Sequence, residues 1–263
     1  MIGEISLNRL DEILKSNKIG ASVLLTRLLS NATTFLPHKL CTLYEVSSSG
    51  KTAGLICLYM CNLTAYFWKK PNMDELISFL NFECGGARFL EAEQKLVRKI
   101  SKKCQKEAYF GSQFVLKKAK RLAKSDCEIT ENEDARSFFD SLKSANTAYQ
   151  STDFESYYCD YFYRKTPPAR LFNAVLNGRR VGAAAVLHFF RKDAIISDVS
   201  VHPDFRRLGI GSHLVAKICQ ILKSEGYSPC LLCTSPSAAR LYKKIGFCEK
   251  GRFGLLLLKD DEK

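Results

Sequence analysis

Ile195-Ile196-Ser197-Asp198-Val199-Ser200-Val201-His202-Pro203-Asp204-Phe205-Arg206-Arg207-Leu208-Gly209-Ile210-Gly211-Ser212 reads as a strand, a short turn rich in Arg and Gly, and the start of a helix. Beyond the turn, apolar residues recur at Ile210, Leu214, Ile218 and Leu222, with Val215 and Ile221 widening the stripe, and Gly226 ends it. A helix start carries unpaired N–H groups and roughly half a positive charge, so a diphosphate is stabilised there. Gly209 and Gly211 leave those amides uncovered, and Arg206 and Arg207 add cationic donors. Taken alone, the R-x-x-G-x-G string is more often an ordinary turn than a cofactor loop.

Outward from this point the second half is ordered. Cys127 opens a strand, and helices are expected over about Asp134 to Ala148 and Phe154 to Arg164. Strands Leu171 to Leu176 and Arg180 to Phe190 flank Asn177-Gly178, a strong hairpin signal, and Ala194 to Val201 is a third strand. Cys230 to Thr234 follows as a strand, and Ser235-Pro236 suits a helix start. In the first half, helical spacing runs from about Leu7 to Leu14 and from Ala21 to Leu29. Strands are expected at Thr42 to Val46, Ala53 to Cys61 and Thr64 to Trp68. Short helices are expected after Pro71-Asn72 and over Ala92 to Ile100. A basic, weakly patterned segment from Glu107 to Lys124 reads as a linker. The expected domains are therefore 1–115 and 126–263.

The 263 residues are 46% hydrophobic and 25% charged, the balance of a globular protein. The formal charge of +13 suits either a polyanionic ligand or a nucleic-acid partner. Eleven Lys or Arg lie between Lys95 and Lys124, yet the chain has no nucleic-acid reader motif, so no such partner is expected. No run approaches the roughly 20 apolar residues of a membrane span, and no basic-then-apolar leader opens the chain. A cytoplasmic location without membrane attachment is the expectation. The eleven cysteines are scattered, and Cys230 and Cys233 are three apart in a strand, where they point to opposite faces. No metal is expected, and the cysteines read as small core residues.

The Arg206-to-Gly211 string, preceded by a V-x-V-x-P strand end, resembles the acyl-CoA motif of the GNAT N-acetyltransferase family. Leu241-Tyr242-Lys243-Lys244-Ile245-Gly246-Phe247 is similar to that family's L-Y-x-K-x-G-F block, in the right order and at the right distance. The resemblance covers about Cys127 to Lys259. It implies an α/β (α+β) fold with a mixed, mostly antiparallel sheet flanked by helices. The smaller α/β domain before it would be a degenerate copy in a tandem arrangement.

The resemblance further implies transfer of an acetyl or acyl group from acetyl-CoA, the co-substrate, to a small-molecule or peptide amine by direct attack. Val199, Ser200 and Val201 would bond the cofactor arm, and Arg206, Arg207, Leu208, Gly209, Ile210, Gly211 and Ser212 its diphosphate. Tyr242 would protonate the leaving thiolate. The family's usual glutamate early in the strand is missing, since Ile195 and Ile196 stand there. Asp198 is the nearest substitute, as a base or as a partner for a substrate ammonium. The aromatic run Phe154 to Tyr163, with Glu155 and Asp160, reads either as core or as a pocket for a cationic amine. The missing glutamate leaves an alternative, a non-catalytic acyl-CoA sensor.

Overall fold

The structure is a computed structural model describing residues 1–17, 19–82, 86–120, 125–132, 134–164 and 168–259, without the side chains of Ala148 and Asp160. The chain forms two compact units, Met1–Gln113 with Lys250–Lys263, and Phe114–Glu249. Among the described residues no helix is long and apolar enough to cross a membrane.

In chain order the first unit contains β1 (Ile2–Glu4), α1 (Leu7–Ser16), α2 (Val23–Phe35), β2 (Cys41–Ser48), β3 (Lys51–Tyr59), β4 (Asn62–Phe67), α3 (Met73–Phe82), β5 (Phe89–Glu93) and α4 (Gln94–Cys104). β6 (Ala108–Leu116) follows and ends in the second unit. Strands β1 to β4 are successive antiparallel neighbours, whereas β5 joins β4 in parallel. The core of this unit is built from Ile56, Leu63, Phe79, Leu90 and Val97 with Leu256.

Elements of the second half are β7 (Glu128–Asn132), α5 (Ala135–Ala145), α6 (Phe154–Tyr163), β8 (Arg170–Leu176), β9 (Arg179–Phe190), β10 (Asp193–Val201), α7 (Ile210–Ser224), β11 (Ser228–Cys233), α8 (Pro236–Ile245) and β12 (Phe247–Leu257). β7 to β10 are antiparallel in sequence order, and β11 joins β10 in parallel. The expected stripe of α7 is buried at Ile210, Leu214, Val215, Ile218 and Leu222 against one face of this sheet. On the other face α5 and α6 cover Leu171, Ala183, Ala185 and Leu187. The small residues at 183 and 185 let the helices lie close.

Two expectations differ from the structure. The segment read as a linker contains β6, whose Gly111, Ser112 and Gln113 interrupt the apolar alternation. Gln113 is nevertheless buried, because its side-chain oxygen accepts from the Ser22 hydroxyl at 3.0 Å and the Leu24 amide at 3.3 Å at the start of α2. Arg121 and Lys124 of the basic stretch lie outside the described residues. In addition, the chain from Lys250 belongs to the first unit rather than to a domain 126–263. The reason is strand pairing, since Phe253–Leu257 run antiparallel to Phe89–Glu93.

Candidate functional site

The site begins where β10 meets α7. After Pro203–Phe205 forms one 3₁₀ turn, Arg207 (φ 66°) and Gly209 (φ 81°) take left-handed conformations. Gly209 caps α7 without a side-chain hydrogen bond, and the first helical bond runs from the His213 N–H to the Gly209 carbonyl at 3.0 Å. The N–H groups of Ile210, Gly211 and Ser212 thus have no partner within the helix. A turn of this kind gathers successive amides into a concavity that takes anions. A Cβ on Gly209 would meet nothing within 4 Å, so the approach is open. A Cβ on Gly211 would lie 3.3 Å from Leu241 and 3.4 Å from Val201, so this glycine also lets α7 pack tightly. Arg207 and Leu208 are exposed. Arg206 is exposed too, and its guanidinium donates to the Val201 carbonyl at 3.1 Å and the Ala145 carbonyl at 3.3 Å, contacts that brace the turn.

Next to this cradle the sheet opens. β10 and β11 pair only over Asp193–Ile195 and Ser228–Cys230, although β10 continues to Val201 and β11 to Cys233. Beyond Ile195 the backbone of β10 therefore has no ladder to β11. Val199 and Val201 are half-buried toward α7, while Ser200 is buried opposite Ala183. Tyr242 of α8 is buried, its ring 6.2 Å from Phe114 and 5.9 Å from Phe247. Burial, with the Cys233 sulfur nearby as a smaller cause, raises its hydroxyl well above the ordinary tyrosine value. It stays protonated throughout the neutral range. Cys219 is likewise pushed up by burial, to about 12, and the ten cysteines described are free. Among the described residues no metal cluster forms.

Asp198 sits at a bulge. The pairing of β10 with β9 shifts between Ser197 and Ser200, and Asp198 has φ 56°. The Tyr149 hydroxyl donates to one carboxylate oxygen, and the Tyr157 hydroxyl donates to the other at 3.3 Å. Tyr157 is buried on α6 with its ring 6.0 Å from Phe138 and 5.2 Å from Phe139, whereas Tyr158 and Phe162 of the same helix are exposed. The aromatic run thus divides, one side core and the other surface. The side chain of Asp160 lies outside the described residues. Sequence reasoning missed Tyr149, which stands alone in the turn Thr147–Tyr149, 49 residues from its partner, with no periodicity to mark it. Ile195 and Ile196 are buried core residues. His202 Nδ1 lies 3.6 Å from a carboxylate oxygen of Asp204 within the turn.

Residues 132–247 match the family model described as Acetyltransferase (GNAT) family. The uncharacterized N-acetyltransferase ycf52 of Pyropia yezoensis is 35% identical over 71 residues, 27% of this chain and 41% of that protein. Glucosamine 6-phosphate N-acetyltransferase of Trypanosoma brucei brucei is 34% identical over 76 residues, 27% of this chain and 52% of the relative. The chain thus spans about half or less of the curated relatives it matches. A solved tandem GNAT protein from the clavulanic acid biosynthesis pathway is similar in fold over 100% of this chain and 99% of its own, with TM-score 0.62 and 10% identity. The open strands and the uncapped helix start lie within the stretch, residues 132–247, over which the chain matches the GNAT acetyltransferase family.

Proposed function

We propose that the second unit binds acetyl-CoA and transfers its acetyl group to an amine by direct attack, with no covalent enzyme intermediate. The observation that carries this reading is the uncapped start of α7 lying beside the gap between β10 and β11. The N–H groups from Arg207 to Ser212 would hold the diphosphate, and the free edge of β10 at Val199 to Val201 would bond the pantetheine arm. Bound acetyl-CoA supplies a thioester that a neutral amine attacks, forming an amide and releasing CoA thiolate. Tyr242, kept protonated by burial, donates its proton to the departing sulfur. The proton of the amine leaves through solvent, since the carboxylate expected early in β10 is replaced by Ile195 and Ile196.

Acetyl-CoA binding followed by calorimetry tests the cradle. Gly211→Glu would confuse the result, because that position is tightly packed. Ser212→Glu instead adds a negative charge at an accessible site that a helix start tolerates. We expect the affinity to fall at least about ten-fold, as for removal of a charge-assisted contact. Unchanged affinity overturns the loop assignment. Appearance of free CoA thiol with an amine acceptor separates the enzyme from a silent acyl-CoA sensor.

A further inference from the structure

Helix α4 of the first unit carries a ridge of cations. Lys95, Arg98, Lys99, Lys102 and Lys103 are all exposed, and their three- and four-residue spacing sets them on one face. Val97 and Ile100 lie on the opposite face and are buried. A Cβ on Gly254 of β12 would come 2.7 Å from Val97, so the helix is pressed against its sheet. The cations are thus held on a fixed support, spread over about 12 Å of helix axis. The helix contains no acid, and among the described residues Lys103 alone of these cations is ion-paired, with Asp74. The Arg98 guanidinium lies over the Phe110 ring at 4.4 Å, which positions it without neutralising it.

This arrangement works against the helix. Lys95 and Lys99, Arg98 and Lys102, and Lys99 and Lys103 are like charges four residues apart. Lys95 also stands near the helix start, the positive end of its dipole, although Lys102 and Lys103 suit the last turn. A polyanion relieves the repulsion. Lysines outnumber arginine on the ridge, and lysine meets an anion as a point charge rather than through the fork that pairs with carboxylates. A duplex nucleic acid presents one phosphate per about 1.7 Å of axis, dense enough to face every cation of the ridge. A lipid surface suits it less, because Val97 and Ile100 are buried in the core and leave no apolar face to insert. We propose that the exposed face of α4 docks on the phosphate backbone of a duplex nucleic acid without reading its sequence. A reader motif serves base contacts, so the expectation drawn from its absence does not extend to this mode. The assignment is independent of the transfer reaction.

A fluorescent duplex of mixed sequence, made once as DNA and once as RNA, is titrated with the full chain and followed by anisotropy. Between about 50 and 200 mM salt, the logarithm of the binding constant should fall against the logarithm of salt with a slope of about −4, as for four or five phosphate contacts. Lys99→Gln with Lys102→Gln makes this slope shallower by roughly 2. Glutamine is a good helix former, and a thermal midpoint no lower than that of wild type checks the fold. Lys217→Gln with Lys223→Gln removes the same charge from exposed positions on α7 and leaves the slope unchanged. Binding to one duplex only keeps the assignment and identifies the sugar. No binding to either duplex, an equal loss in the α7 variant, or tighter binding to polyglutamate or to phosphatidylserine vesicles overturns it.

Discussion

Tyr242 is held between Phe114 and Phe247 on a helix whose next turn, Gly246, leads into β12. That apolar seat keeps its hydroxyl protonated, as the proposed proton transfer requires. Tyr242→Phe keeps the ring and removes only the hydroxyl. We expect kcat to fall roughly 100-fold while acetyl-CoA affinity changes less than about two-fold. An equal loss in both would make the residue a packing element. The same seat links stability to pH. The folded chain holds the Tyr242 proton to a higher pH than the unfolded chain, where the ordinary value is 10.0. The residue's contribution is therefore intact below about pH 10 and lost as pH rises beyond it. Thermal melts between pH 9 and 11 should show a steeper decline in wild type than in Tyr242→Phe. Parallel curves would mean that the hydroxyl is solvated.

At the scale of elements, α8 and β12 are joined by a turn only glycine can make. Gly246 has φ 117°, and a Cβ there would lie 1.9 Å from the Lys118 carbonyl oxygen, a backbone atom with no rotamer to move. The Gly246 N–H also bonds the carbonyls of Tyr242 and Lys243. Gly246→Ala should cost on the order of 3 kcal/mol or more. A thermal midpoint lowered by roughly 10 °C is the expected reading, and a fall below about 3 °C would show that the turn relaxes. The stripe of α7 and the Asn177-Gly178 hairpin were legible in the sequence because local geometry dictates their residues, whereas Gly246 was marked only through the family block that contains it. β6 was not. Its buried polar Gln113 answers to Ser22 and Leu24, partners far along the chain. The splay of β10 from β11 was likewise reached only through family resemblance, since no residue pattern encodes where a ladder stops. Asp198 could be picked out as a charge on a strand, but the bulge and the two tyrosines holding it are tertiary facts.

Over the whole molecule one order of elements occurs twice: strand, two helices, three strands, helix, strand, helix, strand. By this order α3 of the first unit corresponds to α7 of the second. The two helix starts differ in chemistry. Asn72 Oδ1 accepts from the Asp74 and Glu75 amides at 3.0 and 3.3 Å, so two donors that an anion would need are already used. Asp74 and Glu75 then add negative charge to the first turn of α3. We expect titration with acetyl-CoA to give one site per chain. Two sites of similar affinity would show that the first unit keeps a working cradle despite its acids.

The assignment of residues 250–257 to the first unit has a consequence for how the protein is made. On the ribosome, the amino-terminal half emerges with β5 lacking its antiparallel neighbour, and it waits for most of the remaining sequence before that edge is covered. An uncovered strand edge recruits whatever strand it meets, including β12 of another nascent copy. Synthesis at high density should then yield interlocked pairs that slow elongation or dilution would prevent.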